Sequence, residues 1–184
     1  MKVIHDTEAF TGSRSAVALG MFDGVHIGHQ TLIRRAVEVA RELDAESVVC
    51  TFDRHPLSVL CPQRAPKALL SLEENLAKFE QLGADWALVQ AFTPQYGATD
   101  PKEFLTSLVR RLRVCAIVVG ENYSFGAGGR GTPMMIRDMA APLGYRAEIV
   151  PPVMDGEEIC SSTWIRGLLA RGERDHARRL LDIR

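Results

Sequence analysis

Apolar residues along this chain fall into short runs separated by stretches of helical period. Ala16–Leu19 is the first run, and Ser47–Phe52, Trp86–Phe92, Cys115–Val119 and Arg146–Val150 follow as strand candidates. Between the first two, Leu32, Ala36, Val39, Ala40 and Leu43 recur every three or four positions, as one face of a helix does. Glu73–Leu82, Pro101–Leu112 and Pro133–Leu143 supply further helices, and Pro101 suits a first helical position. The resulting order βαβαβαβαβ predicts an α/β fold: a doubly wound, parallel, five-stranded sheet with helices on both faces.

Two stretches break the rhythm. Residues 54–66 carry Pro56, Pro62 and Pro66 with no period, and residues 121–132 carry Gly126, Gly128, Gly129 and Gly131; both read as loops. Pro151-Pro152 closes the fifth run. Ser161-Ser162-Thr163 then forms an N-cap signal for a helix from about Trp164 to Ala170, and a last helix runs from about Glu173 to Leu181. Several unusual segments directly follow strands, which places them at the carboxyl edge of the sheet, where such folds bind ligands.

Composition narrows the possibilities. With 184 residues the expectation is one domain spanning 1–184. A net charge of −1 gives no reason to expect a nucleic-acid or membrane surface. Six arginines crowd 166–184, but Glu173, Asp175 and Asp182 interrupt them, so a solvated helix face is the plainer reading. No apolar stretch approaches the ~20 residues of a membrane span, and the amino terminus turns polar too soon for a signal peptide. Cys50, Cys61, Cys115 and Cys160 show no paired or metal-ligand spacing; Cys50 and Cys115 read as core, and a reducing cytosol is expected.

The strongest chemical signal is Gly20-Met21-Phe22-Asp23-Gly24-Val25-His26-Ile27-Gly28-His29, at the junction of the first strand and first helix. Gly20 and Gly24 let the backbone turn sharply and approach a ligand. A helix N-terminus offers free N–H groups and the positive end of its dipole to a phosphate. His26 and His29, three apart, can face one side and donate hydrogen bonds to a phosphorus centre. Asp23 reads mainly as a turn residue. The alternative is a turn with two solvent-exposed histidines, disfavoured by three glycines and an aspartate at such a junction.

The second signal is Ser161-Ser162-Thr163-Trp164-Ile165-Arg166. Its hydroxyls can cap a helix or share that N-terminus with phosphate oxygens, and Arg166 can lean back toward the same anion. The third is the Gly-rich stretch around Asn122, Tyr123 and Phe125, whose rings can stack on a flat ligand or fold back into the core. His55, in Thr51-Phe52-Asp53-Arg54-His55-Pro56, is either a ligand contact or a loop cap. Trp86 reads as core and Trp164 as packing under or over the site. His5 and His176 read as surface residues.

Together the motifs resemble the nucleotidyltransferase superfamily with a Rossmann-like sheet and an HxGH signature. More narrowly, the chain resembles the adenylyltransferase domain of bacterial bifunctional riboflavin kinase/FMN adenylyltransferases. GMFDGVHIGHQ at 20–30, TFDRHP at 51–56, VGENYSFGAGGRG at 119–131 and CSSTWIR at 160–166 carry the likeness, which covers essentially the whole chain. The resemblance implies transfer of AMP from ATP-Mg to the phosphate of FMN, giving FAD and pyrophosphate. It implies catalytic roles for His26, His29 and Arg166, and ATP contacts at Gly20, Phe22, Asp23, Gly28, Ser161, Ser162 and Thr163. It implies flavin contacts at Phe52, His55, Pro56, Asn122, Tyr123 and Phe125. Mg²⁺ is expected to ride on the ATP phosphates, with no direct protein ligand. Arg54 and Asn75 depart from the family's usual proline and lysine. The chain ends where a riboflavin kinase domain would begin, so a separate source of FMN is expected.

FMN's phosphate, with a second pKa near ~6, is largely ionised at neutral pH and needs no general base. Alignment and charge stabilisation are what the protein must supply. Two rivals stand beside this expectation. One is a related transferase using another phosphate acceptor, or CTP; the other is a non-catalytic flavin or nucleotide binder.

Overall fold

The computed structural model describes residues 1–183; Arg184, the last of the six carboxyl-terminal arginines, lies outside the described residues. In chain order the elements are β1 (Lys2–Ile4), β2 (Ser15–Leu19), α1 (Ile27–Glu42), β3 (Glu46–Phe52), α2 (Pro56–Leu60), α3 (Leu72–Gln81) and β4 (Trp86–Gln90). Next come α4 (Pro94–Gly97), α5 (Pro101–Arg111), β5 (Val114–Gly120), α6 (Pro133–Asp138), α7 (Ala140–Leu143) and β6 (Arg146–Val150). A hairpin of β7 (Met154–Asp155) and β8 (Glu158–Ile159) leads to α8 (Ser162–Ala170) and α9 (Arg174–Leu181).

Six strands form one parallel sheet in the order β1-β4-β3-β2-β5-β6, one more than the periodicity predicts. The extra strand, β1, is three residues at the sheet edge, and only Ile4 of it is buried. So short a half-exposed segment carries no readable period. The chain winds outward from β2 through β3 to β4, then returns to the other side of β2 with β5 and β6. The order therefore reverses between β2 and β5, and the crevice beyond their carboxyl ends is where such sheets bind ligands.

β2 is buried along its whole length, and its alternate residues feed two cores. Val17 and Leu19 join Ile117, Leu105 and Leu108 on the α5 face, while Ala18 joins Ile33, Ala36 and Phe79 on the α1/α3 face. Period-2 alternation in a strand buried on both sides requires this division. Trp86, Cys50 and Cys115 are core residues, as expected.

Local chemistry sets the helix starts. Ser71 and Glu74 form a reciprocal capping box on α3, and Asp100 caps α5 ahead of Pro101. The predicted helix over 133–143 is two short helices, α6 and α7, broken at Met139. Residues 54–66 are not wholly irregular: His55 accepts from the Leu57 N–H at 3.1 Å and, with Pro56, starts α2.

Candidate active site

The histidine turn leaves β2 and enters α1 through two non-glycine residues in the left-handed region, Phe22 (φ 50°) and Val25 (φ 45°). That conformation is strained for any side chain and most for a β-branched one, and such strain clusters at functional sites. The Phe22 ring is fully buried, edge-on to Phe79 at 5.7 Å and to His29 at 5.2 Å. Its ring lines neither of the two large cavities beyond the strand ends and packs against His29, so the ATP contact expected at Phe22 would fall to its backbone.

His26 is the N-cap of α1, and its Nδ1 accepts from the His29 N–H at 3.4 Å. With Nδ1 accepting, the neutral ring carries its proton on Nε2. The His26 and His29 rings stack, centroids 3.7 Å apart. A Cβ at residue 28 would stand 3.2 Å from the His26 ring and 3.3 Å from the Cys160 carbonyl, so glycine there permits the close approach. Burial, and secondarily the charge of Arg166, lower the His26 pKa to about 4. Burial, then His26, hold His29 well below the ordinary imidazole value. Both rings are therefore neutral at pH 7. Among the described residues His29 Nδ1 is buried without a partner. Leaving a polar atom so costs about 1–3 kcal/mol, which a purely structural histidine would avoid.

The SSTWIR segment meets this turn. Ser161 caps α8 by accepting from the Trp164 N–H at 3.1 Å, and Ser162 Oγ donates to the Asp23 carbonyl at 3.0 Å. Arg166 Nε donates to the Lys67 carbonyl at 2.8 Å, and its terminal nitrogen pairs with the Asp23 carboxylate. That carboxylate also accepts from the Leu69 N–H at 2.9 Å and the Leu70 N–H at 3.4 Å. Asp23 is thus more than a turn residue. It joins the starts of α1 and α8 to the 67–70 loop.

Two adjoining cavities open beyond the strand ends. One, about 310 Å³, is lined by Gly20, Gly28, His26, His29, Ser161 and Ser162, among others. Two helix N-termini and two imidazole rings edge it, a setting for a polyphosphate. The other, about 440 Å³, is mainly aromatic, with Phe52, Pro56, Phe92, Tyr96, Tyr123 and Phe125 in its walls. Gly20, Met21, Asn122 and Tyr123 line both.

The remaining expected residues fall elsewhere. Thr163 is exposed and lines neither cavity. His55 and Asp23 line a third, smaller pocket of about 160 Å³ beside Arg54 and Asn75, so His55 does not face the aromatic cavity; its ring is turned to cap α2. Asn75 accepts from the Gly24 N–H at 3.0 Å. Tyr123 and Phe125 stack on each other at 5.6 Å, and Phe125 is both core and cavity wall. Trp164 donates to Asp155 at 2.7 Å, which fastens the β7–β8 hairpin onto α8. His176 is not a free surface residue, because its Nε2 lies 3.0 Å from the same carboxylate. Phe92, Tyr96 and Phe104 escape the sequence reading; the four-residue spacing of Phe92 and Tyr96 across a Thr-Pro helix start is the signal that points to them.

A family model for FAD synthetase matches residues 10–164. This chain belongs to the FAD synthetase family. A Listeria monocytogenes bifunctional riboflavin kinase/FMN adenylyltransferase is 36% identical over 95% of this chain and 56% of its own length. A Listeria FAD synthetase is 33% identical over 98% of this chain and 74% of its own length. The chain thus spans little more than half of the bifunctional relative. Among solved structures, a Streptococcus pneumoniae protein described as a macrolide-efflux protein superposes with a TM-score of 0.85 at 30% identity, covering 98% of this chain and 60% of that one. A Francisella tularensis pantoate-beta-alanine ligase superposes at 0.61 with 13% identity, a likeness of fold alone. Among the described residues no helix is long and apolar enough to cross a membrane. The FAD synthetase motifs expected from the sequence therefore sit in a Rossmann-type parallel sheet.

Proposed function

We propose that this chain transfers AMP from ATP to the phosphate of FMN, releasing pyrophosphate and forming FAD. One observation carries the reading: a polyphosphate-suited cavity edged by two helix N-termini adjoins an aromatic cavity through shared walls at Gly20, Met21, Asn122 and Tyr123. A flavin ring held among Phe52, Tyr96 and Tyr123 would present its phosphate toward the histidine turn. The nucleophilic oxygen is already ionised at neutral pH, so in-line attack on the α-phosphorus needs position more than a base.

Neutral imidazoles suit that task. In this proposal His26 Nε2–H donates to the α-phosphate as charge shifts toward the leaving group, and His29 supports the same oxygens. Arg166, Ser161, Ser162 and the α8 N-terminus receive the departing pyrophosphate, with Arg166 exchanging part of its bond to Asp23 for the phosphate. Phe22 and Asp23 act through His29 and Arg166, and Thr163 has no assigned contact.

Mg²⁺ is proposed to arrive on the triphosphate. The Asp23 carboxylate is already committed to Arg166 and two backbone N–H groups, which fits a metal held mainly by phosphate oxygens. FMN would come from a riboflavin kinase activity, in a separate enzyme or a further domain. The four cysteines are free thiols, which suits a cytoplasmic setting. Incubation with FMN, ATP and Mg²⁺, followed by detection of FAD and pyrophosphate, tests the reading. Product with CTP or another phosphate ester, but none with ATP and FMN, would replace it.

A further inference from the structure

Gln30 follows His29 in α1 and is fully buried, an uncommon setting for a primary amide. Its Nε2 donates to the Val25 carbonyl at 3.0 Å and to the Asp182 carbonyl at 2.9 Å, with the Leu181 carbonyl at 3.5 Å. Its Oε1 accepts from Arg34 at 3.4 Å. Val25 is the β-branched residue in the left-handed region immediately before His26. The Leu181 and Asp182 carbonyls belong to the end of α9, where a helix runs out of its own N–H donors. The two regions also touch directly, since a Cβ on Gly24 would meet the Leu181 side chain at 3.0 Å.

A turn with two residues in a strained conformation persists only where its surroundings hold it. The Gln30 amide is built for that: one planar group with two N–H donors, one directed at the turn and one at a distant helix end. We propose that Gln30 is a positioning residue for the histidine pair, tying the turn before His26 to the end of α9 and so fixing where both imidazoles stand. The proposal rests on the role given to His26 and His29 above. Lys78, from α3, also donates to the Leu181 carbonyl but makes no bond to the turn. It supplies the comparison that separates anchoring α9 from positioning the histidines.

The test compares Gln30→Met with Lys78→Met in the full chain. Gln30→Met keeps the side-chain length and loses both donors. It is expected to lower kcat for FAD formation about tenfold or more while moving KM for ATP and FMN less than about threefold. It should also shift the ring ¹⁵N signals of His26 and His29 in the free protein. Lys78→Met should lower Tm and leave kcat and the ring signals unchanged. Wild-type kcat in Gln30→Met, or kcat losses in both variants that merely follow Tm, would reduce Gln30 to a fold anchor and overturn the proposal. Should Gln30→Met fail to fold, Gln30→Asn serves the same comparison, its amide one methylene too short to span both ends. If the wild type makes no FAD, the functional reading fails. The ring signals then decide the role of Gln30 by themselves, and unchanged signals overturn it.

Discussion

The Arg166 guanidinium meets the Asp23 carboxylate beneath the histidine turn, with side chains 22% and 8% exposed. This contact joins the two motifs physically and holds the guanidinium in an ordered position, although Arg166 itself lines neither of the two large cavities. Arg166→Ala strands a nearly buried carboxylate and should cost about 3 kcal/mol or more of stability, besides raising the KM for ATP about tenfold. Adding Asp23→Asn removes the stranded charge, and the asparagine oxygen can still accept from the Leu69 N–H. The double variant should therefore unfold at higher urea than Arg166→Ala while using ATP no better. If urea midpoints for the two variants coincide, the 67–70 loop alone satisfies Asp23.

Among the described residues the His29 ring nitrogen Nδ1 is buried without a partner while the ring stacks on His26, and the proposed function gives this ring a substrate to contact. His29→Ala should lower kcat about 100-fold, by analogy with loss of one donor to a developing negative charge. Tm should change little by comparison. Steady-state assays at saturating ATP and FMN check this, and turnover within a few-fold of wild type would remove His29 from the chemistry.

The imidazole pKa values predict a dependence of stability on pH. Burial lowers His26 to about 4, whereas the unfolded chain titrates near 6.5. As pH falls, the unfolded state takes up its proton first. The contribution of neutral His26 is therefore complete above about pH 6.5 and is lost progressively toward about pH 4, by up to about 3 kcal/mol. His29 acts in the same direction. Urea unfolding between pH 7.5 and 4.5 should show a steeper loss for wild type than for His26→Asn. Because carboxylates titrate alike in both, the difference isolates the imidazole. Equal slopes would mean that His26 protonates freely in the folded protein.

Five of the six sheet strands are legible in the sequence: β2 to β5 because buried parallel strands are near-continuous apolar runs, and the half-exposed edge strand β6 by its place between a helical stretch and Pro151-Pro152. β1 is not, since an edge strand of three residues has no pattern to detect. The histidine turn and the Ser-Ser-Thr segment are legible because their chemistry is local: a glycine-rich junction and a cap. What sequence conceals is pairing across distance. The Asp23–Arg166 contact joins residues 143 apart in the chain, and Trp164 and His176 converge on one carboxylate from a hairpin too short to predict. Nor does the sequence show that the Phe22 ring, inside the glycine-rich motif, turns into the core and packs edge-on against His29.

Gly126 offers the sharpest test of the aromatic cavity. It holds φ 69° and ψ −174°, a region that essentially glycine alone occupies. A Cβ there would stand 2.7 Å from Pro101 Cγ and 2.9 Å from Pro101 Cα, at the fixed start of α5. The next residue, Ala127, donates to the Thr99 carbonyl at 2.7 Å, so the loop is seated against that helix. Gly126→Ala must either strain this seat, at about 2 kcal/mol or more, or push the loop off it. Either response moves Asn122, Tyr123 and Phe125 relative to Phe52 and Tyr96, whereas the α1 and α8 N-termini lie outside the loop. The KM for FMN should rise about tenfold or more, with a smaller change for ATP. Separate titrations of the two substrates, beside a melting curve, check the prediction. A lowered Tm with unchanged FMN kinetics would mean that the 121–132 loop contributes nothing to holding the flavin.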